Sequence, residues 1–143
     1  MPNVRKPTAV REIQGNPSNR PMPVEPEIKG SIKMPRTLTP AAKIVWKNVT
    51  GAMVKGVFKP TDTYILAAYC EQVAAHDEAV AKIAQNGSVS VGSQGQEIVS
   101  PWVRIRNEAA SKVVTLGAKL GLSPADRQSI PSGETQSYNK FMH

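Results

Sequence analysis

Few residues in this chain have the type and spacing that catalysis requires. The only histidines are His76 and His143, and Cys70 is the only cysteine, so the sequence lacks a ligand set with metal-site spacing. On a helix the adjacent Asp77 and Glu78 would point about 100° apart, which suits a paired acid and base poorly. No Gly-Lys-Ser/Thr motif indicates a phosphate-binding loop. We therefore predict no catalytic centre, metal or cofactor, and do not expect an enzyme.

The chemistry that the sequence does offer is electrostatic. Residues 1–60 contain 11 Lys and Arg against 3 Glu, whereas residues 61–143 contain 7 against 8 acidic residues. Lysine and arginine neutralise backbone phosphates and release counterions, so this asymmetry favours nucleic acid as the partner. A basic arm that only maintains solubility is the alternative. The predicted DNA-binding residues are Arg5, Lys6, Arg11, Arg20, Lys33, Arg36, Lys43, Lys47, Lys55 and Lys59.

These basic residues belong to an N-terminal arm and to the first helix after it. Residues 1–40 contain eight of the twelve prolines, which excludes a long helix and predicts an extended, proline-rich arm over residues 1–38. Thr39 followed by Pro40 has the pattern of an N-cap and a first helical residue. The apolar spacing then predicts a helix to about Lys55, with Gly56 as its terminator.

A second helix is predicted to follow after a three-residue turn over residues 57–59. It begins at Pro60, with Asp62 favourably placed in its first turn, and ends at residues 86–87. Two helices joined by so short a turn would permit a helix-turn-helix-like unit.

The second half of the chain predicts a further long helix. Residues 88–100 fit a short β-hairpin or a mobile loop equally well. Pro101 then opens a third helix with the clearest amphipathic pattern, closed by Gly121, and a short fourth helix is predicted near Arg127. The predicted fold is mainly α, with two long antiparallel helices, shorter helices and a small hairpin. The predicted divisions are an arm (1–38), a helical domain that binds DNA and oligomerises (39–130) and a flexible tail (131–143).

The large apolar side chains of the helices are expected to pack in the core or to contact another subunit. Core packing explains the helix aromatics best, and these are Trp46, Tyr64, Tyr69 and Trp102. Three apolar stripes of this width exceed what one small monomer buries, so self-association is also expected. The predicted oligomer-interface residues lie on the third helix and are Trp102, Ile105, Val113 and Leu116.

Two segments resemble signatures of a known family, the small terminase subunits of tailed phages. Residues 6–17 (KPTAVREIQGNP) are similar to its N-terminal signature, and residues 116–127 (LGAKLGLSPADR) are similar to its C-terminal LGL-(S/T)-P-x-x-R signature. The order between them matches as well, and the resemblance covers about residues 5–130. One departure is Lys59, where the family often has a capping Thr or Ser; Asp62 is expected to compensate in part.

The resemblance implies a function in viral genome packaging. Small terminase subunits form rings, here expected to contain about eight to ten subunits. They recognise concatemeric viral double-stranded DNA at its packaging-initiation site and regulate the large terminase subunit, which holds the ATPase and the nuclease. The implied location is the cytoplasm of the infected bacterial host, without a membrane partner.

Two rival functions remain open at this point. A helix-turn-helix transcriptional regulator would form a dimer and bind a short palindrome tightly. An assembly adaptor would instead grip the acidic surface of a protein partner with the basic arm.

Overall fold

Four helices and one two-stranded sheet make up the regular structure of the part described by this computed structural model, which covers Gly15, residues 27–53 and residues 55–127. Residues 28–120 form one compact unit, and residues 121–127 belong to a second unit. The elements are α1 (Pro40–Ala52), α2 (Thr63–Asn86), β1 (Val89–Val91), β2 (Glu97–Val99), α3 (Pro101–Lys119) and α4 (Pro124–Arg127). The predicted mainly helical fold is confirmed.

Helix α1 begins where the sequence predicts but ends earlier. The Thr39 Oγ1 accepts a hydrogen bond from the backbone N–H of Ala42 at 3.4 Å, as an N-cap does. The helix ends at Ala52 rather than near Lys55, and the next residue has extended backbone angles. The last turn contains Thr50 and Gly51, which are poor helix formers, so it lacks the local preference needed to continue.

The connection between α1 and α2 is longer than the predicted three-residue turn. Residues 53–59 precede a 3-10 turn (Pro60–Asp62), and α2 follows directly. The predicted turn is therefore wrong, and the short connection of a helix-turn-helix is absent here. The backbone N–H of Lys59 donates to the Asp62 carboxylate at 2.8 Å, so Asp62 does compensate for the missing capping hydroxyl.

Residues 88–100 form a β-hairpin, which is one of the two structures predicted for this segment. Val89 pairs with Val99 in antiparallel register, and the N–H of Ser100 donates to the carbonyl of Ser88 at 2.9 Å, which closes the base of the hairpin. Gly87 ends α2 with φ of +79°, a conformation that glycine adopts without strain. Because the strands are antiparallel, α3 returns along α2.

Helix α2 is central, since it packs against both α1 and α3. Leu66, Cys70 and Ala79 of α2 are fully buried, and Trp46 of α1 is also buried, as predicted. The predicted core position is wrong for Tyr64, which lies in the first turn of α2 and is 83% exposed.

The second unit contributes one described helix, α4. Its start matches the predicted Ser123-Pro124 signature: the Ser123 Oγ accepts from the N–H of Asp126 at 3.2 Å and donates to that residue's carboxylate. Most of the predicted arm, residues 1–14 and 16–26, and the whole predicted tail lie outside the described residues. The division into residues 1–38, 39–130 and 131–143 stays a prediction.

Candidate nucleic-acid interface

The orientation of α1 is fixed by its N-cap. The backbone N–H of Thr39 donates to Glu71 Oε1 at 2.8 Å, and the Thr39 hydroxyl donates to Glu71 Oε2 at 2.9 Å. Glu71 lies in α2, so both oxygens of one carboxylate hold the start of α1 against the central helix. The buried side chains of Ala42 and Trp46 hold the same face of α1, which leaves the opposite face in solvent.

Six of the ten predicted DNA-binding residues lie in and around α1. None of the six makes an ion pair with another described residue, so their charges are available to a ligand. The six are Lys33, Arg36, Lys43, Lys47, Lys55 and Lys59. The side chains of Lys43 and Lys59 are half-buried, and the other four are exposed. The other four predicted residues, Arg5, Lys6, Arg11 and Arg20, lie outside the described residues.

One close approach brings two of the basic segments together. A Cβ atom on Gly30 would be only 3.3 Å from Cγ of Pro60, so the chain before α1 passes directly beside the start of the 3-10 turn. The segment that carries Lys33 and Arg36 therefore runs past the connection that carries Lys59. The lysines of α1 itself are four residues apart, a spacing that places Lys43 and Lys47 about 6 Å apart along the helix axis.

The three long helices differ in charge, which the count over half-chains did not detect. Helix α1 has two lysines and no carboxylate, whereas α2 has three carboxylates and one lysine. Helix α3 has four cationic residues and one carboxylate, and they are Arg104, Arg106, Lys112, Lys119 and Glu108. Counting charge helix by helix would have revealed α3 as a second basic surface.

Part of the charge on α3 is already paired. The Arg104 Nε donates to Glu108 Oε1 at 2.8 Å, and this hydrogen bond lowers the pKa of the Glu108 carboxyl and raises the pKa of the Arg104 guanidinium. Arg106 donates from two nitrogens to the side-chain oxygen of Asn107, at 3.1 and 3.0 Å. The exposed Lys112 and Lys119 complete this basic surface.

The predicted oligomer-interface residues lie on the side of α3 that also carries the buried Ala109. Trp102, Val113 and Leu116 are half-buried, and Ile105 is 37% exposed. The ammonium of Lys82, on α2, lies 6.0 Å from the centre of the Trp102 ring. This side of α3 therefore takes part in packing within the chain, and its predicted role between subunits stays a prediction.

Cys70 and His76 are the described residues of the types that a nucleophile or a general base most often uses. Cys70 is fully buried, and burial, followed by the nearby charge of Glu71, raises the pKa of its thiol to about 11. His76 is half-buried, and its only described polar contact is with Asp77 at 3.5 Å. Within the described residues no group of three potential ligands is arranged to hold a metal ion. None of the described helices is both long and apolar enough to cross a membrane.

Comparison with known proteins identifies the family. A model of the phage terminase small subunit matches residues 42–137, which is two thirds of the chain and includes most of α1 and all of α2, the hairpin, α3 and α4. No curated protein and no solved structure matches the chain significantly. Because this match covers more than half of the chain, the chain belongs to the phage terminase small subunit family, which has a role in phage DNA packaging.

Proposed function

We propose that this chain is the DNA-recognising subunit of a phage packaging terminase. It binds double-stranded viral DNA at the packaging-initiation site through the basic surface around α1, which comprises Lys33, Arg36, Lys43, Lys47, Lys55 and Lys59. It forms a ring of about eight to ten copies, and it regulates the ATPase and nuclease activities of the large terminase subunit. It acts in the cytoplasm of the infected bacterial host and has no catalytic centre of its own.

The observation that carries the DNA-binding part is the unpaired charge at α1. This helix has two lysines and no carboxylate, and basic residues precede and follow it in the chain. Basic side chains that make no ion pair among the described residues attract phosphates over a long range. The Thr39–Glu71 hydrogen bonds hold the start of this helix on α2, so α1 presents a defined face to solvent.

Exposed apolar side chains support the assembly part of the proposal. Val91 and Val99 of the hairpin are 75% and 69% exposed, and Val114 of α3 is 73% exposed. Single exposed apolar residues are common, but several on one small helical domain favour contact with other subunits.

The first test is the mass of the purified full chain by multi-angle light scattering, alone and with a fragment carrying a phage genome end. We expect one species of about eight to ten subunits, which binds DNA with an affinity that falls steeply with salt. A stable dimer that binds a short palindrome would support the regulator instead. Retention by the large subunit without any DNA shift at low salt would support the adaptor.

The second test separates the two basic surfaces with matched variants. Lys43→Gln with Lys47→Gln removes two charges from α1, and Lys112→Gln with Lys119→Gln removes two from α3. The α1 pair is expected to reduce the slope of log K against log salt by about 2, because each lost phosphate contact changes it by about 0.9. The α3 pair is expected to leave the slope unchanged. The reverse result would place the DNA on α3 and overturn the assignment to α1.

A further inference from the structure

The outward face of α1 carries four exposed residues at helical spacing. Ile44, Lys47, Asn48 and Gly51 recur at positions i, i+3, i+4 and i+7, so they form one stripe, here called the outer stripe. The buried Trp46 lies on the opposite side of the same helix. Ile44 is 62% exposed, although the helix has a core face in which an isoleucine would be better placed.

Gly51 is the most informative member of the outer stripe. Its backbone is helical, and a Cβ atom at this position would meet no neighbouring atom within 4 Å. Neither a turn geometry nor close packing among the described residues therefore requires glycine here. Glycine destabilises a helix relative to alanine, so Gly51 weakens the last turn of α1 and lowers the stability of the monomer. Because no side chain projects from the outer stripe at Gly51, another molecule can approach the helix backbone closely there.

The charge of α1 identifies what approaches. Lys47 lies in the outer stripe, Lys43 lies beside it, and the helix has no carboxylate. A polyanion therefore complements this face, whereas a protein surface with few acidic residues does not. An α-helix with its side chains is about 10–12 Å across, and the major groove of B-DNA is about 12 Å wide. A small residue in the stripe lets the helix lie deep in such a groove.

We propose that α1 enters the major groove of duplex DNA with its outer stripe and reads base edges there. This inference rests on the proposed DNA-binding function and adds the element that gives it sequence preference. Asn48 has the amide that pairs in two hydrogen bonds with the N6 and N7 edge of adenine, and Ile44 offers an apolar surface to a thymine methyl group. Lys43 and Lys47 contact the flanking phosphates, and Gly51 allows the backbone to approach the groove floor.

The test is selection of binding sequences from a randomised duplex pool by the full chain and by single variants. Asn48→Ala is expected to lower the ratio of specific to non-specific affinity about ten-fold and to relax the preference at one adenine. Ile44→Ala is expected to relax the preference at a thymine. Its matched control is Val80→Ala, which shortens an exposed valine on α2 and should leave the selected sequence unchanged.

Gly51→Ala gives the sharpest test, because its two expected effects run in opposite directions. The added methyl group has space in the free chain and favours the helix, so Tm should rise, whereas affinity for the selected sequence should fall. A higher Tm with unchanged DNA affinity would overturn the inference. A changed oligomer mass in Ile44→Ala would also overturn it, since the stripe would then be a contact between subunits.

The outcomes distinguish this inference from the proposed function beneath it. Salt-dependent binding of the wild-type chain to random duplex, together with identical sequence selection by wild type and the stripe variants, would refute only the base-reading role. Failure of the wild-type chain to bind any duplex at low salt would refute DNA binding itself.

Discussion

The contact between Thr39 and Glu71 should be measurable as a coupling between α1 and α2. Glu71 accepts two hydrogen bonds, from the backbone N–H and from the hydroxyl of one residue that lies 32 positions earlier. Hydrogen bonds to a charged acceptor contribute about 1.5–3 kcal/mol each when buried. These two are exposed to water, so we expect Glu71→Ala to lower the free energy of unfolding by about 1–2 kcal/mol in total.

The partner substitution has a separable effect. Thr39→Ala removes the hydroxyl bond to Glu71 and also the cap on Ala42, but it keeps the backbone N–H bond. Loss of the cap costs about 1 kcal/mol, and loss of the hydroxyl bond adds to it. In a double-mutant cycle the two substitutions share only the hydroxyl bond, so their coupling energy should be about 0.5–1 kcal/mol.

Urea unfolding at one fixed protein concentration is the appropriate assay, because the proposed assembly would make stability depend on concentration. Glu78→Ala is the matched control, since this exposed carboxylate lies two turns further along α2 and makes no hydrogen bond in the described structure. It should change stability by less than about 0.5 kcal/mol. Equal effects of Glu71→Ala and Glu78→Ala, or strict additivity in the cycle, would refute the reasoning.

Three further predictions concern the core, the hairpin and pH. Leu66→Ala should cost about 2–5 kcal/mol in urea unfolding, because this fully buried side chain leaves a cavity; a loss below 1 kcal/mol would contradict its central position. Gly92→Ala would place a Cβ atom 2.6 Å from the side-chain amide of Gln96, which would have to move and release its hydrogen bond from the N–H of Gln94. The free energy of unfolding should therefore fall by about 1 kcal/mol in the wild-type background and hardly change in a Gln96→Ala background. The pKa of Cys70 is raised in the folded state, so its contribution to stability is complete below about pH 9 and is lost towards pH 11, by up to about 3 kcal/mol. Cys70→Ala should remove that part of the pH dependence of unfolding, and identical curves for the two proteins would contradict the assigned burial of the thiol.

The beginnings of the helices were predictable because their signals are local. Thr39-Pro40, for example, places a capping hydroxyl directly before a residue with a fixed φ, and the structure uses that hydroxyl as a cap. The end of α1 was not predictable from Gly56, because the helix stops at Ala52 once Thr50 and Gly51 weaken its last turn. Termination depends on several weak preferences together, whereas initiation depends on one strong hydrogen bond.

Only the positive charge of the candidate site was predictable from the sequence. The excess of lysine near α1 follows from counting, but the direction in which each side chain points depends on which face of α1 packs against α2. The exposure of Tyr64 shows the same limit, because its type suggests burial and only the tertiary arrangement places it in solvent. The Thr39–Glu71 contact joins distant residues and has no local signature at all.

The extent of packing on each side of α2 also determines how the chain opens. Helix α2 packs more extensively against α3 than against α1, and the start of α1 is held to α2 by the two hydrogen bonds from Thr39 to Glu71. A helix with less buried contact opens at a lower cost in free energy than the rest of the fold. We expect native-state hydrogen exchange to reveal two cooperative units, with the amides of α1 exchanging through a partial opening and those of central α2 only through global unfolding. DNA-bound α1 would lose that partial opening, so protection of its amides reports binding directly, residue by residue.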